Sequence, residues 1–273
     1  MLILDGLRKQ FDGAYAVNNV SFKVDKGDVY GFLGPNGAGK TTTIRMIMGI
    51  IHPDKGSIVL NGDDINALGR QNLGYLPEDR GLYQKQRLEE ILHYFGSLRG
   101  LEKLDAKKRS SMWLERFGLI DQGSRKVEEL SKGNQQKIQF ILSLLHDPDL
   151  IILDEPFTGL DPLNQLLLKE IIQEKQDEGK TIIFSTHQME QVERLCNNIC
   201  LIDKGRIVVE GPLNDIRKKH SSDAVEVRFS GKIDDKEVAS FFNELEITDD
   251  IISGVLSKNP NEFLEWVNAR VDV

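Results

Sequence analysis

Two kinds of hydrophobic pattern run along the chain. Residues 2–7 and 19–24 read as short strands; in the second, Val20, Phe22 and Val24 alternate with polar residues, the period of a half-buried sheet face. VYGFL (29–33) is a continuous apolar run that feeds a glycine turn, so it predicts a buried strand. TTTIRMIMGI (41–50) then predicts a helix with Ile44, Ile47 and Met48 on one face. A strand at 57–60 stops at Asn61-Gly62, a turn-forming pair. From 86 to 118 the spacing becomes helical, with Leu88, Ile91, Leu92 and Phe95, then Trp113, Leu114 and Phe117. A further helix from about 132 to 145 carries Ile138, Ile141, Leu142 and Leu145, completing a helical insertion over about 84–146. Strands and helices alternate again afterwards: LIILD (150–154), a helix near 163–176, TIIFS (181–185), a helix near 187–196, and ICLID (199–203). This alternation predicts an α/β fold with a mainly parallel sheet.

Lys204-Gly205 turns the chain into RIVVEG, and a change of composition at RKKHSSD (217–223) reads as a linker. AVEVRFS (224–230) alternates once more. The expected division is therefore a domain over 1–217 and a small α+β domain over 224–273. ARVDV (269–273) reads as an unfinished strand, which suggests a chain cut short. A length of 273 residues suits one large domain with a small one attached. The net charge of −8 argues against a general basic surface for nucleic acid. No apolar run approaches the roughly 18 residues of a membrane span. MLILDGLRKQ does not read as a signal peptide, because its apolar run is short and its charges follow it. Cys196 and Cys200 read as reduced packing residues, and the expected setting is the cytoplasm. Lys218-Lys219-His220 and the acidic pair Asp249-Asp250 read as solvated surface.

The chemistry is concentrated in a few short stretches. GPNGAGKT (34–41) matches G-x-x-x-x-G-K-[ST] between a strand and a helix. In such a loop, which runs through Gly34, Pro35, Asn36, Gly37, Ala38 and Gly39 to Thr42, the glycines let backbone N–H groups turn inward to phosphate oxygens; Pro35 shapes the turn without an N–H of its own. Lys40 reaches the outer phosphates, and Thr41 offers its hydroxyl to Mg²⁺. A dinucleotide-binding reading fails, because Thr42 stands where a third glycine belongs. LIILDEP ends a buried strand in two carboxylates: Asp154 suits Mg²⁺, and Glu155 suits a general base. His187, in STH, follows the next strand, which brings it towards the same phosphate. Ser131 and Gly133, in LSKGN, open a helix and form a second, weaker anion site with no obvious task of its own.

A phosphate loop, LSKGN, LDEP, GLDP and a strand-end histidine, in that order, resemble the ATP-binding subunit of ABC transporters over residues 1 to about 217. The resemblance implies a P-loop NTPase core with an N-terminal antiparallel part, ATP and Mg²⁺ as cofactors, and ATP hydrolysis. It also implies a head-to-tail pair, of two copies or of a copy with a paralogue. In such a pair Ser131 and Gly133 close over the partner's ATP, and Asp161 links the two sites. Phe11 stands where the family stacks an aromatic ring on adenine. Two positions depart from the family's common pattern: Lys132 and Asn134 make the signature LSKGN, and Glu78 in YLPEDRGLY replaces a glutamine that helps to hold the metal. These stretches look like the branch that exports drugs, peptides, lipids or sodium ions. The helical insertion would then meet a transmembrane permease, with the chain peripheral on the inner face of the membrane. The alternative is a non-transport relative acting in translation or DNA repair. Such relatives carry tandem ATPase domains, long coiled coils or cysteine-rich metal sites, none of which this sequence contains. A simple P-loop kinase would leave LSKGN and His187 unexplained.

Overall fold

The computed structural model describes residues 1–65, 67, 70–78, 81–220, 224–229, 235–248, 251–257 and 260–269. They divide into two compact units, Met1–Leu213 and Asn214–Val273.

The first unit opens with a hairpin of β1 (Leu2–Phe11) and β2 (Ala14–Val24), both longer than the expected strands. The turn between them is Asp12-Gly13, with φ of +48° and +84°. Two left-handed residues give a turn whose twist matches paired strands, and Asp-Gly is a favoured pair for it. Next come β3 (Val29–Leu33), α1 (Lys40–Ile47), β4 (Lys55–Leu60) and β5 (Asp63–Asp64). Asn61-Gly62 makes the turn into β5, with φ of +54° and +98°. These outer strands form an antiparallel sheet in the order β2-β1-β4-β5.

A four-residue strand, β6 (Leu73–Leu76), lies partly within a stretch that the sequence pattern leaves as loop. It pairs in parallel with Leu150–Leu153. Gly74 is required at this edge, since a Cβ there would lie 2.2 Å from the carbonyl oxygen of Ser143. The insertion follows as α2 (Leu88–Leu98), α3 (Lys103–Arg116) and α4 (Lys132–Leu144). After it come β7 (Leu150–Asp154), α5 (Pro162–Asp177), β8 (Thr181–Thr186), α6 (Met189–Leu195), β9 (Asn198–Asp203) and β10 (Arg206–Pro212).

The central sheet has the order β10-β9-β3-β8-β7-β6, parallel except for the edge strand β10. Every residue of β3, β7 and β8 is buried, as expected for parallel strands covered on both faces. Sequence order and spatial order differ here. β8 is inserted between β3 and β7, so the ends of three distant segments converge at one edge of the sheet. That edge is where open parallel sheets bind ligands.

The expected linker at 217–223 begins inside a helix, α7 (Leu213–His220). Its charged residues Arg217, Lys218 and Lys219 are exposed while Ile216 is half-buried, so the charge run is a helix face. The second unit continues with β11 (Ala224–Arg228), α8 (Asp235–Ala239), β12 (Phe242–Ile247), β13 (Ile251–Leu256) and α9 (Pro260–Asn268). Its antiparallel sheet has the order β11-β13-β12, over a core that includes Val238, Ile252, Phe263 and Val267. Asp249, Asp250 and residues 270–273 of the expected last strand lie outside the described residues. Cys196 and Cys200 are buried free thiols; burial pushes that of Cys200 up to about 12, which makes it unreactive.

Candidate functional site

β3 delivers the chain to Gly34, which has φ +155° and packs so closely that a Cβ would lie 2.3 Å from the carbonyl oxygen of Ile202. Gly39, at φ +106°, precedes α1 and lies against the carbonyl of Ala16 on β2 in the same way. No side chain caps α1, so its first-turn N–H groups stay free for an anion. Lys40 is buried, and its ammonium donates to the carbonyl oxygens of Gly34 at 2.7 Å and Pro35 at 3.2 Å. Ala38 is tied to the β9–β10 turn through its carbonyl, which accepts from the Gly205 N–H at 2.8 Å.

A cavity of about 260 Å³ lies over this loop. Asn36, Gly37, Gly39, Lys40, Thr41 and Thr42 line it from the loop side, with Ala16 from β2. Glu78, Asp154 and Glu155 line it from the ends of β6 and β7. Asp154 is 2% exposed. One of its oxygens accepts from the hydroxyl of Ser185, its register partner on β8; the other, Oδ2, has no partner among the described residues. Burial raises the Asp154 carboxyl above its usual range; Glu78 and Glu155 add to this, while bonds from Ser185 and Thr41 oppose it. An unpartnered buried oxygen beside a threonine hydroxyl fits Mg²⁺, which takes one or two carboxylates and fills its remaining positions with phosphate and water. Among the described residues no three acidic, histidine or cysteine side chains converge as a complete metal cage.

Glu155 has φ +49°, in the left-handed region. Its N–H donates to the carbonyl of Ser185 at 3.2 Å. Oε1 lies 2.8 Å from Nδ1 of His187, so Nδ1 carries the proton, since a carboxylate only accepts. Oε2 accepts from Thr158 and Thr186, each at 3.5 Å.

Phe11, Ser131, Gly133 and Asp161 are not among the residues that line this cavity. Phe11 is about half exposed at the tip of the β1–β2 hairpin, with Lys9 5.6 Å from its ring centre. Ser131 caps α4, accepting from the Asn134 N–H at 3.2 Å. Gly133 is open: a Cβ there would meet nothing within 4 Å. Asp161 caps α5, and bonds from the backbone and side chain of Asn164 hold its carboxyl below the usual range. Sequence reasoning passed over Ser185, Thr158, Thr186, Ala16 and Tyr75. Ser185 stood in STH beside a residue already singled out, whereas Ala16 had no signal of its own. Tyr75 is half-buried, and its hydroxyl is pushed up to about 12 by burial, then by Asp154.

A glycine loop that brings a lysine and a helix N-terminus to paired strand-end carboxylates defines a nucleotide-binding protein of the P-loop class. The family model for ABC transporters matches residues 17–158. ABC transporter ATP-binding protein YhaQ of Bacillus subtilis is 49% identical over 218 residues, 80% of this chain and 73% of its own length. Nod factor export ATP-binding protein I of Burkholderia lata is 39% identical over 225 residues, 81% of this chain and 74% of its own. A solved ATP-binding subunit of an ABC transporter has a TM-score of 0.75 at 34% identity, covering 80% of this chain and 92% of that one. The chain belongs to the ABC transporter family, as an ATP-binding subunit and ATPase. No helix among the described residues is long and apolar enough to cross a membrane.

Proposed function

We propose that the protein powers export through a separate transmembrane subunit, by pairing head to tail around ATP and parting after hydrolysis. The observation that carries this reading is the split between two sets of residues. Lys40, Thr41, Asp154 and Glu155 share one cavity, while Ser131, Lys132 and Gly133 are not among its lining residues, and Ser131 and Lys132 are exposed. A bare anion site beside an incomplete nucleotide site is what two halves of a composite site look like. A two-fold axis completes both sites at once.

The proposed roles rest on the cavity lining for the loop and strand-end residues, and on the family resemblance for Phe11, Ser131, Gly133 and Asp161. Loop N–H groups and Lys40 hold the β- and γ-phosphates. Phe11 stacks on the adenine ring. Thr41 and Asp154 hold Mg²⁺, with Glu78 near it; the metal supplies charge neutralisation across the phosphates. Glu155 takes a proton from the attacking water. His187 fixes the Glu155 carboxylate from one side and stands next to the γ-phosphate. In the closed pair Ser131 and Gly133 of one copy cap the nucleotide of the other, and Asp161 connects the two sites. Export, rather than import, is supported by the name of the Nod factor relative and by the chain's similarity to it. A groove of about 440 Å³ on the helical insertion, lined by Tyr83, Gln86, Glu90, Ile91 and Tyr94, is the proposed seat for the membrane subunit. Both tyrosines are more than half exposed there. On this reading the protein works at the inner face of the membrane.

Glu155→Gln tests the reading. The variant binds ATP, hydrolyses it far more slowly, and accumulates as an ATP-dependent dimer in size-exclusion chromatography with Mg²⁺. Undiminished hydrolysis, or a monomer well above micromolar concentration in both the presence and absence of ATP, counts against it.

A further inference from the structure

Gln136 lies on α4, five residues after Ser131, and has none of the roles given above. It is 1% exposed. Nε2 donates to the carbonyl oxygen of Pro156 at 2.9 Å, while Oε1 is buried without a partner among the described residues. An apolar side chain of similar length would fill the space without stranding an amide oxygen. What the glutamine adds is a directed bond to one backbone atom, immediately after Glu155. Glu155 stands at φ +49°, a conformation that an L side chain keeps only when its surroundings hold it. On its N-terminal side the holding groups are the carbonyl and hydroxyl of Ser185, at 3.2 and 3.4 Å from the Glu155 N–H. On its C-terminal side the Glu155 carbonyl accepts from the Thr158 N–H at 3.3 Å, and the bond from Gln136 fixes the next carbonyl, that of Pro156.

We infer that Gln136 is a positioning residue for hydrolysis: it pins the backbone at Glu155–Pro156 so that the Glu155 carboxylate keeps its place over the cavity. It also ties that backbone to the helix that begins at Ser131. At about 1.5 Å per residue, Gln136 stands about 7.5 Å along the helix from Ser131. The inference rests on the reading of Glu155 as general base.

The test replaces Gln136 by methionine in the full chain, keeping length and removing the donor. kcat falls by about tenfold or more, because a small displacement of a reacting group slows its step steeply. KM and the equilibrium affinity for ATP change by less than about threefold, since phosphate binding does not use this bond. In a Glu155→Gln background the same substitution leaves the residual rate within about twofold, because two residues that act through one group are not additive. Should Gln136→Met not accumulate folded, Gln136→Leu removes the same donor. Three results overturn the inference: a Gln136→Met kcat within about twofold of wild type, equal losses in kcat and ATP affinity, or a full further loss in the Glu155→Gln background. If Glu155→Gln is inactive and Gln136→Met is not impaired, the inference fails alone. If Glu155→Gln hydrolyses normally, the reading beneath it fails as well.

Discussion

Asp154 is a group whose function works against the stability of its own fold. Its carboxyl is 2% exposed, one oxygen has no partner among the described residues, and Glu78 and Glu155 share its cavity. Burial, more than any neighbour, raises its pKa. The folded protein therefore holds this proton more tightly than the unfolded chain does. Stability from this group is fully present below the usual carboxylate range and is lost as pH rises through the raised pKa. At neutral pH the ionised form is a standing cost that Asp154→Asn removes. The amide oxygen of asparagine can still accept from Ser185, so that bond survives. Relief of this kind at a functional site is worth about 0.5–2 kcal/mol. For a unit of this size each kcal/mol moves Tm by about 2–4 °C. Thermal melts in EDTA from pH 4 to 8 should place the variant above wild type at neutral pH, with a gap that grows as pH rises through the raised pKa and stays level above it. A variant that melts below wild type at pH 8 would show that the carboxylate stabilises the fold, which refutes the argument. ATP at 100 times its Kd stabilises a folded protein by about 2.7 kcal/mol. In wild type, Mg²⁺ should increase the shift seen with ATP in EDTA; in Asp154→Asn that increment should vanish along with hydrolysis. An unchanged increment would remove Asp154 from the metal site.

Lys40→Ala should lower hydrolysis by more than about a hundredfold, because phosphoryl transfer depends on positioned charge; wild-type turnover in steady-state assays would undo the assignment of the loop. Ser131→Arg should abolish hydrolysis while ATP binding by the monomer stays near wild type. Mixed with Lys40→Ala it should regain part of the activity, since one composite site in the mixed pair keeps both residues. Loss of ATP binding by the Ser131→Arg monomer would instead place the segment in its own chain's site. Glu78→Gln should keep hydrolysis in Mg²⁺ within about tenfold and raise ATP affinity more in EDTA than in Mg²⁺, since without metal only repulsion from phosphate remains. Equal changes in the two titrations would mean that Glu78 does not sense that charge.

Long, strongly patterned segments carried their structure in the sequence. β3, β7 and β8 each carry a run of consecutive apolar residues, Ile182–Phe184 in β8, because parallel strands are covered on both faces, and each was legible as a strand. Local signals that conflicted with their surroundings were not. β6 has only four residues, one of them a glycine that reads as a breaker until the carbonyl of Ser143 is seen against it. The Asp12-Gly13 turn was available as a hairpin signal, yet Arg8, Lys9 and Gln10 obscure the alternation of β1 beside it. α7 was hidden for a similar reason: a run of cations reads as solvated chain, and the helix carries only two apolar residues, Leu213 and Ile216, to set against it.

The site divides along the same line. Lys40, Thr41, Asp154 and Glu155 were legible because each is fixed by a local turn at the end of a strand, where spacing alone tells which way the chain must go. Ser185 was not, although it is the residue that holds Asp154, because its task depends on β8 lying beside β7 in the sheet. Gln136 was further out of reach, since its partner is a carbonyl oxygen twenty positions away and on a different element. Backbone acceptors leave no mark in a sequence, so the residues that aim at them look like ordinary polar helix positions. The three carboxylates around the cavity raise a related point. With Glu78, Asp154 and Glu155 facing Lys40, an incoming triphosphate meets more negative than positive charge from side chains. Closure over ATP must then draw on the free N–H groups of α1, on a divalent cation, and on donors from outside the cavity. The exposed N-terminus of α4, with Ser131 and the neighbouring Lys132, has the sign that this balance calls for, which is a physical reason to expect it in a partner's site.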